Sequence, residues 1–311
     1  LSALENGVWN PKKYLNCNGV REFHGEKFHC WKKKGHGDVN LRTAIQKSCD
    51  LYFYEVARIL GVDRLSETAK KFGLGKNTLE GFIEERKGIV PNTKWKKKYM
   101  GKNWYIGETL HSGIGQGYYQ STPAQLCLMT AQIANGGYEI KPRILVQGNN
   151  NQLKDYVKFK KENPNESLPT NLWMANLNLK RLIRDEKHIN FVKDAMYAAT
   201  NEVGGTSYRS RLSDRKFMFA GKTGSSQVKK FTETQRALEV KQSDLEYKDR
   251  DHALFVAYAP VSDPRYAISV VVEHGGSGSS AAAPIAKEVI KKVLERHELR
   301  ENISQLIGKE V

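Results

Sequence analysis

The sequence predicts an α+β fold in which helices from both ends of the chain wrap an antiparallel sheet. Three segments indicate the sheet. Residues 217–224 form an apolar run that ends in Lys-Thr-Gly, and residues 253–259 and 266–273 are two further strand-like runs joined by a proline-bounded turn. Apolar residues recur at helical spacing both before and after these segments.

Helical periodicity predicts five helices before the sheet segments and one after them. They cover residues 40–47, 51–61, 65–72, 123–134, 185–203 and 282–299. The helix at 123–134 has the clearest limits, because Thr122 can cap it, Pro123 suits its first turn and two glycines follow it. Residues 1–7 resemble the last turns of a helix closed by a glycine.

The remaining segments are predicted to be loops. Residues 75–103 and 149–178 are polar and loop-like, and residues 229–251 are predicted to form a long mobile loop. We expect one domain over residues 1–311. Because the chain opens in the middle of a predicted helix, we expect that domain to be partial.

Composition indicates a folded chain with no membrane-spanning segment of its own. Of the 311 residues, 39% are hydrophobic and 27% are charged, and no run of about 18 apolar residues occurs. The net charge of +16 would suit a nucleic-acid binder, but the basic residues are spread along the chain without a recognised nucleic-acid motif. A solvated basic surface is the better interpretation.

Two short motifs are suited to acyl transfer, Ser48-x-Asp50 and Lys222-Thr-Gly224. Serine enzymes that attack peptide or lactam carbonyls need a nucleophile, a proton shuttle and an anchor for a carboxylate. A lysine and a threonine at the end of a strand can supply that anchor, and a glycine allows close approach of a substrate backbone. Taken alone, Lys-Thr-Gly also fits a strand that simply runs into a Gly-Ser loop.

These two motifs and three further ones give the chain a resemblance to the transpeptidase domain of a class B penicillin-binding protein. The resemblance is closest to the rod-elongation type called penicillin-binding protein 2. The motifs span nearly the whole chain in the order of that family. They are Ser48-Cys-Asp-Leu-Tyr-Phe-Tyr54, Gly113-Ile-Gly-Gln-Gly-Tyr118, Thr122-Pro123-Ala-Gln125, Gly221-Lys-Thr-Gly224 and Glu273-His-Gly-Gly276.

The resemblance implies a penicillin-binding protein/β-lactamase-like fold and a peptidoglycan D,D-transpeptidase that cross-links stem peptides ending in D-Ala-D-Ala. It also implies β-lactam binding, partners in the elongation machinery and a location at the periplasmic face of the bacterial inner membrane. Nucleic acid is not an expected partner. The alternatives are a D,D-carboxypeptidase, a β-lactamase-like hydrolase, or a nonenzymatic cell-wall scaffold.

The resemblance also assigns roles to individual residues. Ser48 would relay the leaving-group proton and Asp50 would help to position that network, although Asp50 could instead only cap the next helix. Lys222 and Thr223 would bind the substrate carboxylate, beside Gly224. The backbone N–H of Ser225 would form half of an oxyanion hole.

One part of the family pattern is not found in its expected place. The nucleophile of the family lies in S-x-x-K at the start of a helix, well before the Ser48 motif. The two matches in this chain, Ser213-Asp-Arg-Lys216 and Ser226-Gln-Val-Lys229, flank Lys-Thr-Gly and are interpreted as chance. We therefore expect the nucleophile upstream of Leu1, in which case the N-terminally truncated fragment alone is inactive.

A second constellation has the spacing C-x12-C-x5-H-x12-C and consists of Cys17, Cys30, His36 and Cys49. Three thiolates and an imidazole form a common closed site for structural Zn²⁺. A Cys17–Cys30 disulfide or plain buried thiols are the alternatives. Some penicillin-binding proteins of the resembled type hold zinc beside the second motif, and a metal here would fix the loop that carries Ser48 and Asp50.

Three other side chains bear on this assignment. His24 and His29 lie close enough in the sequence to compete as metal ligands. Cys127 lies on the apolar face of the helix at 123–134 and is predicted to be a core residue.

Overall fold

The computed structural model describes residues 1–79, 82, 84–142, 180–229, 232, 234–235, 238 and 240–307. The predicted loop at 149–178 lies outside the described residues, as do parts of the predicted loops at 75–103 and 229–251. Among the described helices, none combines the length and the apolar composition that crossing a bilayer requires.

The first part of the chain folds into short strands followed by helices. The strands pair as two antiparallel ribbons, β1 with β4 and β2 with β3. The elements are α1 (Ser2–Glu5), β1 (Leu15–Cys17), β2 (Val20–Phe23), β3 (Glu26–His29), β4 (Gly37–Val39), α2 (Leu41–Lys47), α3 (Asp50–Leu60) and α4 (Val62–Lys71).

The second part contains longer helices and the main sheet. Its elements are α5 (Thr93–Met100), α6 (Ile106–Gly113), α7 (Pro123–Ala134), α8 (Glu186–Asn201), β5 (Ala220–Ser226), β6 (His252–Ala259), β7 (Tyr266–Val272) and α9 (Ala283–Ile307). Strands β5, β6 and β7 form an antiparallel sheet in that order, with Lys222 opposite Val256. Within the described residues, β5 is therefore an edge strand.

The α+β class is confirmed, because helices cover an antiparallel sheet. Apolar residues of β6 and β7 pack against α9, with Phe255, Ala257 and Ala286 fully buried. A second cluster joins α7 and α8 to the sheet through Ile189 and Tyr258. The helices thus fix the sheet from both sides.

Helix boundaries agree with the local capping signals. Thr122 caps α7 as predicted, in a capping box with Gln125, and Asn40 and Thr43 form a capping box that starts α2. Helix α2 ends at Lys47 with Ser48 as its C-cap in the left-handed conformation, and α3 begins at Asp50, directly after its N-cap Cys49. The Ser48 motif is thus the junction of two helices.

Several boundaries were predicted incorrectly. The predicted loop at 75–103 contains α5, which Asn92 caps by accepting from Trp95 N and which Gly101 ends, so both signals were present but masked by the lysine-rich composition. Helix α6 and strands β1–β4 were not predicted, because they are too short for a clear period. Strand β5 runs over Ala220–Ser226 and not over 217–224.

Candidate active site

The α2–α3 junction and strand β5 both line one cleft of about 1240 Å³. Ser48 and Asp50 lie on one wall, and Lys222, Thr223 and Ser225 lie on the other. The fold therefore brings the two acyl-transfer motifs, 174 residues apart in sequence, to opposite sides of one cleft.

Ser48 and Lys222 are in direct contact. The Lys222 ammonium donates to Ser48 Oγ at 2.8 Å and to the Thr223 carbonyl at 2.9 Å. Ser48 has φ 56° and ψ 51°, a conformation that residues with a side chain rarely adopt and that must be held by the surroundings. A serine hydroxyl held against a lysine can exchange a proton with it.

The pKa values of Lys222 and the neighbouring Asp50 are both shifted toward neutral pH. Burial lowers the pKa of Lys222 to about 8, against the attraction of Asp50. Burial, followed by the negative charge of Cys30, raises the pKa of Asp50 to about 7, although a hydrogen bond from Trp31 N opposes the shift. Perturbed pairs of this kind in a cleft are typical of functional sites.

Strand β5 presents its outer edge to the cleft. Thr223 Oγ1 donates to Thr206 Oγ1 at 2.8 Å, which fixes the threonine beside Lys222. A side chain at Gly224 would meet only Leu254 Cβ, at 3.5 Å, so the glycine is not required by the packing of the protein itself. A free strand edge can pair with the backbone of an extended peptide.

Gln116 is a site residue that sequence reasoning did not single out. Its Nε2 donates to the Ser225 carbonyl at 2.8 Å, and its Oε1 accepts from Gln227 N at 3.4 Å. Gln116 thus ties the glycine-rich turn at 113–118 to the end of β5. The motif was visible in the sequence, but its spacing does not show which backbone groups the amide reaches.

Asp50 does not cap α3 with its side chain. Cys49 is the N-cap residue, and Asp50 Oδ2 instead accepts from Trp31 N at 2.7 Å. The carboxylate therefore joins the loop after β3 to the wall of the cleft, so the alternative of a simple helix cap is wrong.

The serines and lysines of the two S-x-x-K matches do not line the cleft. Lys216 pairs with Glu298 at 3.2 Å, and Lys229 pairs with Asp249 at 2.5 Å. Both lysines are thus held by carboxylates, which agrees with their interpretation as chance matches.

The four predicted metal donors converge beside the cleft. The Sγ atoms of Cys17, Cys30 and Cys49 and a ring nitrogen of His36 all lie within 4.8 Å of one another. The three cysteines are buried and all four cysteines of the chain are free, so the predicted alternative of a Cys17–Cys30 disulfide is not formed.

The donor geometry fits a tetrahedral ion. His36 Nδ1 lies 3.6 Å from Cys17 Sγ and 3.5 Å from Cys30 Sγ. Bonds of about 2.3 Å to sulfur and about 2.0 Å to nitrogen at a tetrahedral centre would separate such atoms by roughly 3.6 Å. The other ring nitrogen of His36, Nε2, is buried with no partner among the described residues, so Nδ1 is the nitrogen directed at the thiols.

The electrostatics of the cluster favour thiolate. The pKa of Cys30 is lowered, because Cys49 and then His36 hydrogen-bond to its thiolate, while burial opposes the shift. The pKa of Cys49 is raised for the complementary reason. A thiolate, further thiols and an imidazole in one buried space form a donor set that suits Zn²⁺.

The remaining candidates fall outside this group. His24 and His29, which were considered as competing ligands, are not among the four converging donors. Cys127 is partly buried, with Sγ 3.4 Å from the Ala267 carbonyl, and burial raises its pKa. Cys127 thus faces β7, as a core residue would, but it is only partly buried.

Comparison with known proteins identifies relatives along nearly the whole chain. Peptidoglycan D,D-transpeptidase MrdA of Haemophilus influenzae is 35% identical over 289 residues, covering 93% of this chain and 41% of the relative. MrdA of Escherichia coli K12 is 31% identical over 310 residues, covering 98% of this chain and 45% of the relative. The chain thus spans less than half the length of these relatives.

Solved structures give the same result for the fold. Helicobacter pylori PBP2, in its complex with MreC, superposes with a TM-score of 0.75 at 31% identity, covering 94% of this chain and 47% of that one. Pseudomonas aeruginosa PBP2, in complex with WCK 5153, gives 0.74 at 32% identity, with coverages of 94% and 57%. The family model "Penicillin binding protein transpeptidase domain" matches residues 1–291, and the chain therefore belongs to the penicillin-binding protein transpeptidase family.

Proposed function

We propose that the protein is a serine-type peptidoglycan D,D-transpeptidase that also binds β-lactams. The observation that carries this proposal is the contact of Lys222 Nζ with Ser48 Oγ at 2.8 Å, between the two motifs that line one cleft. The family membership and the names of the MrdA relatives support it.

The proposed chemistry has two half-reactions. The oxygen of the nucleophilic serine attacks the carbonyl between the two terminal D-Ala residues, the C–N bond breaks, and the last D-Ala leaves as an amine that has accepted a proton. An amine of a neighbouring stem peptide then attacks the resulting ester, forms the new amide and returns the proton to the serine.

The described residues would serve these steps from both walls of the cleft. Ser48 and Lys222 form the path along which a proton can reach the leaving amine. Lys222 and Thr223 would hold the terminal carboxylate, while the substrate backbone lies along β5 at Gly224. The Ser225 N–H would stabilise negative charge on the attacked carbonyl. Asp50 would keep the Ser48 wall in place through Trp31.

Covalent labelling tests the proposal. A form of the protein extended upstream of Leu1 should be labelled by a fluorescent penicillin, and Ser48→Ala and Lys222→Ala should slow the labelling at least about 100-fold. Ser243→Ala alters an exposed serine and is the control. Labelling that survives replacement of the upstream serine would refute the assignment.

The products distinguish the alternatives. A transpeptidase transfers the acyl group of a D-Ala-D-Ala peptide to an added amine, whereas a D,D-carboxypeptidase releases the free acid and a β-lactamase turns over penicillin. A nonenzymatic scaffold would give neither product nor label. Mass spectrometry of a stem peptide incubated with the extended protein, with and without an acceptor amine, separates these cases.

We also propose that Cys17, Cys30, His36 and Cys49 hold a structural Zn²⁺. The support is the convergence, burial and spacing of the four donors. Cys49 lies between Ser48 and Asp50, so its coordination would fix the backbone that carries both side chains. Bound zinc would supply no chemistry to the reaction; it would neutralise the thiolates and hold the loops together.

Elemental analysis tests the zinc site on the chain itself. We expect one Zn per chain, loss of the metal in Cys49→Ser, and retention in the matched control Cys127→Ser. Removal by a chelator should lower the melting temperature by about 5 °C or more and should slow penicillin labelling of the extended protein. A metal-free protein with unchanged melting would contradict the site.

Location and partners are proposed from the relatives. The MrdA relatives are named peptidoglycan D,D-transpeptidases. The structure of H. pylori PBP2 is that of a complex with MreC. We propose that this protein acts at the periplasmic face of the inner membrane with elongation-machinery proteins. Protease digestion of spheroplasts should then remove the domain, whereas protection until lysis would place it on the other side.

A further inference from the structure

Trp31 lies where the metal-donor loops meet the wall of the cleft. It follows Cys30 directly and lines the same cleft as Ser48 and Lys222. The residue is 60% exposed, which is unusually high for a tryptophan. Nothing in the packing of the core requires a large aromatic residue at this position.

All of its polar atoms that can donate are directed at the Ser48 motif. The indole Nε1 donates to the Ser48 carbonyl at 2.8 Å and to the Lys47 carbonyl at 3.1 Å. The backbone N donates to Asp50 Oδ2 at 2.7 Å. The ring also packs edge-on against His36, with centroids 5.4 Å apart.

These bonds act on a part of the backbone that needs support. Helix α2 ends at Lys47, so its last carbonyls lack partners inside the helix. Ser48 is held at a positive φ, in a conformation that persists only when its surroundings determine it. The direction of Ser48 Oγ toward Lys222 depends on that backbone geometry.

We infer that Trp31 is a positioning residue that holds Ser48 in its strained conformation and so keeps Ser48 Oγ against Lys222. The indole N–H bonds the carbonyls of Lys47 and Ser48, which lie on either side of the Ser48 Cα, and the backbone N–H fixes the carboxylate of Asp50 two residues further on. The inference rests on the proposed function for its catalytic consequence. The positioning itself can be measured independently of that function.

The test of positioning uses the chain itself. Trp31→Phe removes the indole donor, and Trp104→Phe is the matched control, because Trp104 Nε1 is also a hydrogen-bond donor, at 2.8 Å to Thr109 Oγ1. Amide hydrogen exchange over residues 44–52 should be about fivefold or more faster in Trp31→Phe and unchanged in the control. Equal exchange in both variants overturns the inference.

The test of the catalytic consequence uses the extended protein. Replacing Trp31 with β-(3-benzothienyl)alanine keeps the shape of the ring and removes only the N–H. The rate constant of the covalent step with penicillin should fall about tenfold, because the misplaced hydroxyl no longer meets the reacting groups. The noncovalent dissociation constant and the zinc content should stay within about twofold of wild type.

The possible outcomes separate the two proposals. An unlabelled wild-type protein refutes the proposed function, and hydrogen exchange still decides the role of Trp31. A labelled wild type with an equally fast isostere overturns the inference while the function stands. A change confined to the noncovalent dissociation constant also overturns it, because Trp31 would then be a contact for the ligand and not a support for Ser48.

Discussion

Replacing Lys222 with methionine should stabilise the fold while removing a group that the proposed activity needs. Methionine keeps most of the length and volume of the side chain and removes the ammonium. The structure holds that charge in a cleft where burial outweighs the attraction of Asp50. The predicted gain in the free energy of unfolding therefore measures how much the buried ammonium of Lys222 destabilises the folded state.

The magnitude follows from the shifted pKa. Burial lowers the pKa of Lys222 from its ordinary 10.5 to about 8. At about 1.4 kcal/mol per pKa unit, the ammonium costs the folded state roughly 3 kcal/mol at pH 7. Partial exposure through the cleft reduces this cost, and each of the two lost hydrogen bonds opposes the gain by about 1 kcal/mol. We expect a net gain of about 1 kcal/mol.

The pH dependence gives a sharper test than the net value. The folded-state pKa lies below the unfolded one, so the cost is complete below pH 8 and disappears as the pH rises from 8 to 10.5. The free energy of unfolding of wild type should therefore rise by about 2 kcal/mol relative to that of Lys222→Met between pH 7 and pH 10. The difference between the two proteins cancels the titration of every group that does not interact with Lys222.

Urea unfolding at both pH values measures this difference. Lys94→Met changes an exposed lysine and is the control, with an expected effect within about 0.5 kcal/mol at either pH. If Lys222→Met differs from wild type by the same amount at pH 7 and pH 10, the ammonium is not disfavoured in the fold. The electrostatic reasoning for the cleft would then be wrong.

Three further predictions concern the surroundings of β5 and the α2–α8 contact. Gln116→Ala should slow penicillin acylation of the extended protein about tenfold with little change in melting temperature. Gly221→Ala should cost about 2 kcal/mol in urea unfolding, because its Cβ would lie 2.4 Å from Phe255 Cζ, whereas Gly224→Ala should keep stability and weaken penicillin binding. Arg42→Ala should cost about 1 to 2 kcal/mol, measured the same way, because the Arg42 guanidinium on α2 pairs with both Asp194 and Glu202.

The sequence was sufficient for the parts of the fold that have strong local signals. Helix α7 was predicted at its observed bounds because a capping threonine, a proline and two glycines mark both ends. Helix α5 was missed although Asn92 and Gly101 mark it, because its lysines outweighed these signals in a composition-based interpretation. Residues 229–251 remain predicted as mobile, since nothing described decides this.

The candidate site was predictable in its residue types but not in its contacts. The motifs identified Ser48, Lys222 and the four metal donors, and the structure brings each set together. No spacing could show that Trp31 bonds the backbone at Ser48 or that Gln116 reaches Ser225. These bonds join segments that are distant in sequence and end on backbone atoms, which leave no trace in residue identity.

The proposed active site depends on how α2, which carries Ser48, packs against α8, which in turn packs against β5. Ser48 ends α2, and Lys222 lies on β5, against which α8 packs. Arg42 on α2 holds Asp194 at 2.6 Å and Glu202 at 2.7 Å, and Gln46 Nε2 donates to a carbonyl just beyond α8. The contact of α2 with α8 therefore contributes to the distance between the Ser48 hydroxyl and the Lys222 ammonium.

This dependence has a consequence for Arg42→Ala beyond its cost in stability. If α2 shifts when the ion pairs are lost, Ser48 Oγ moves away from Lys222 while the thiol cluster, which is built on the same wall, moves with it. Penicillin acylation of the extended protein should then fall although zinc content is unchanged. Equal acylation in this variant would show that the metal-donor loops alone position Ser48, with Trp31 as the connection.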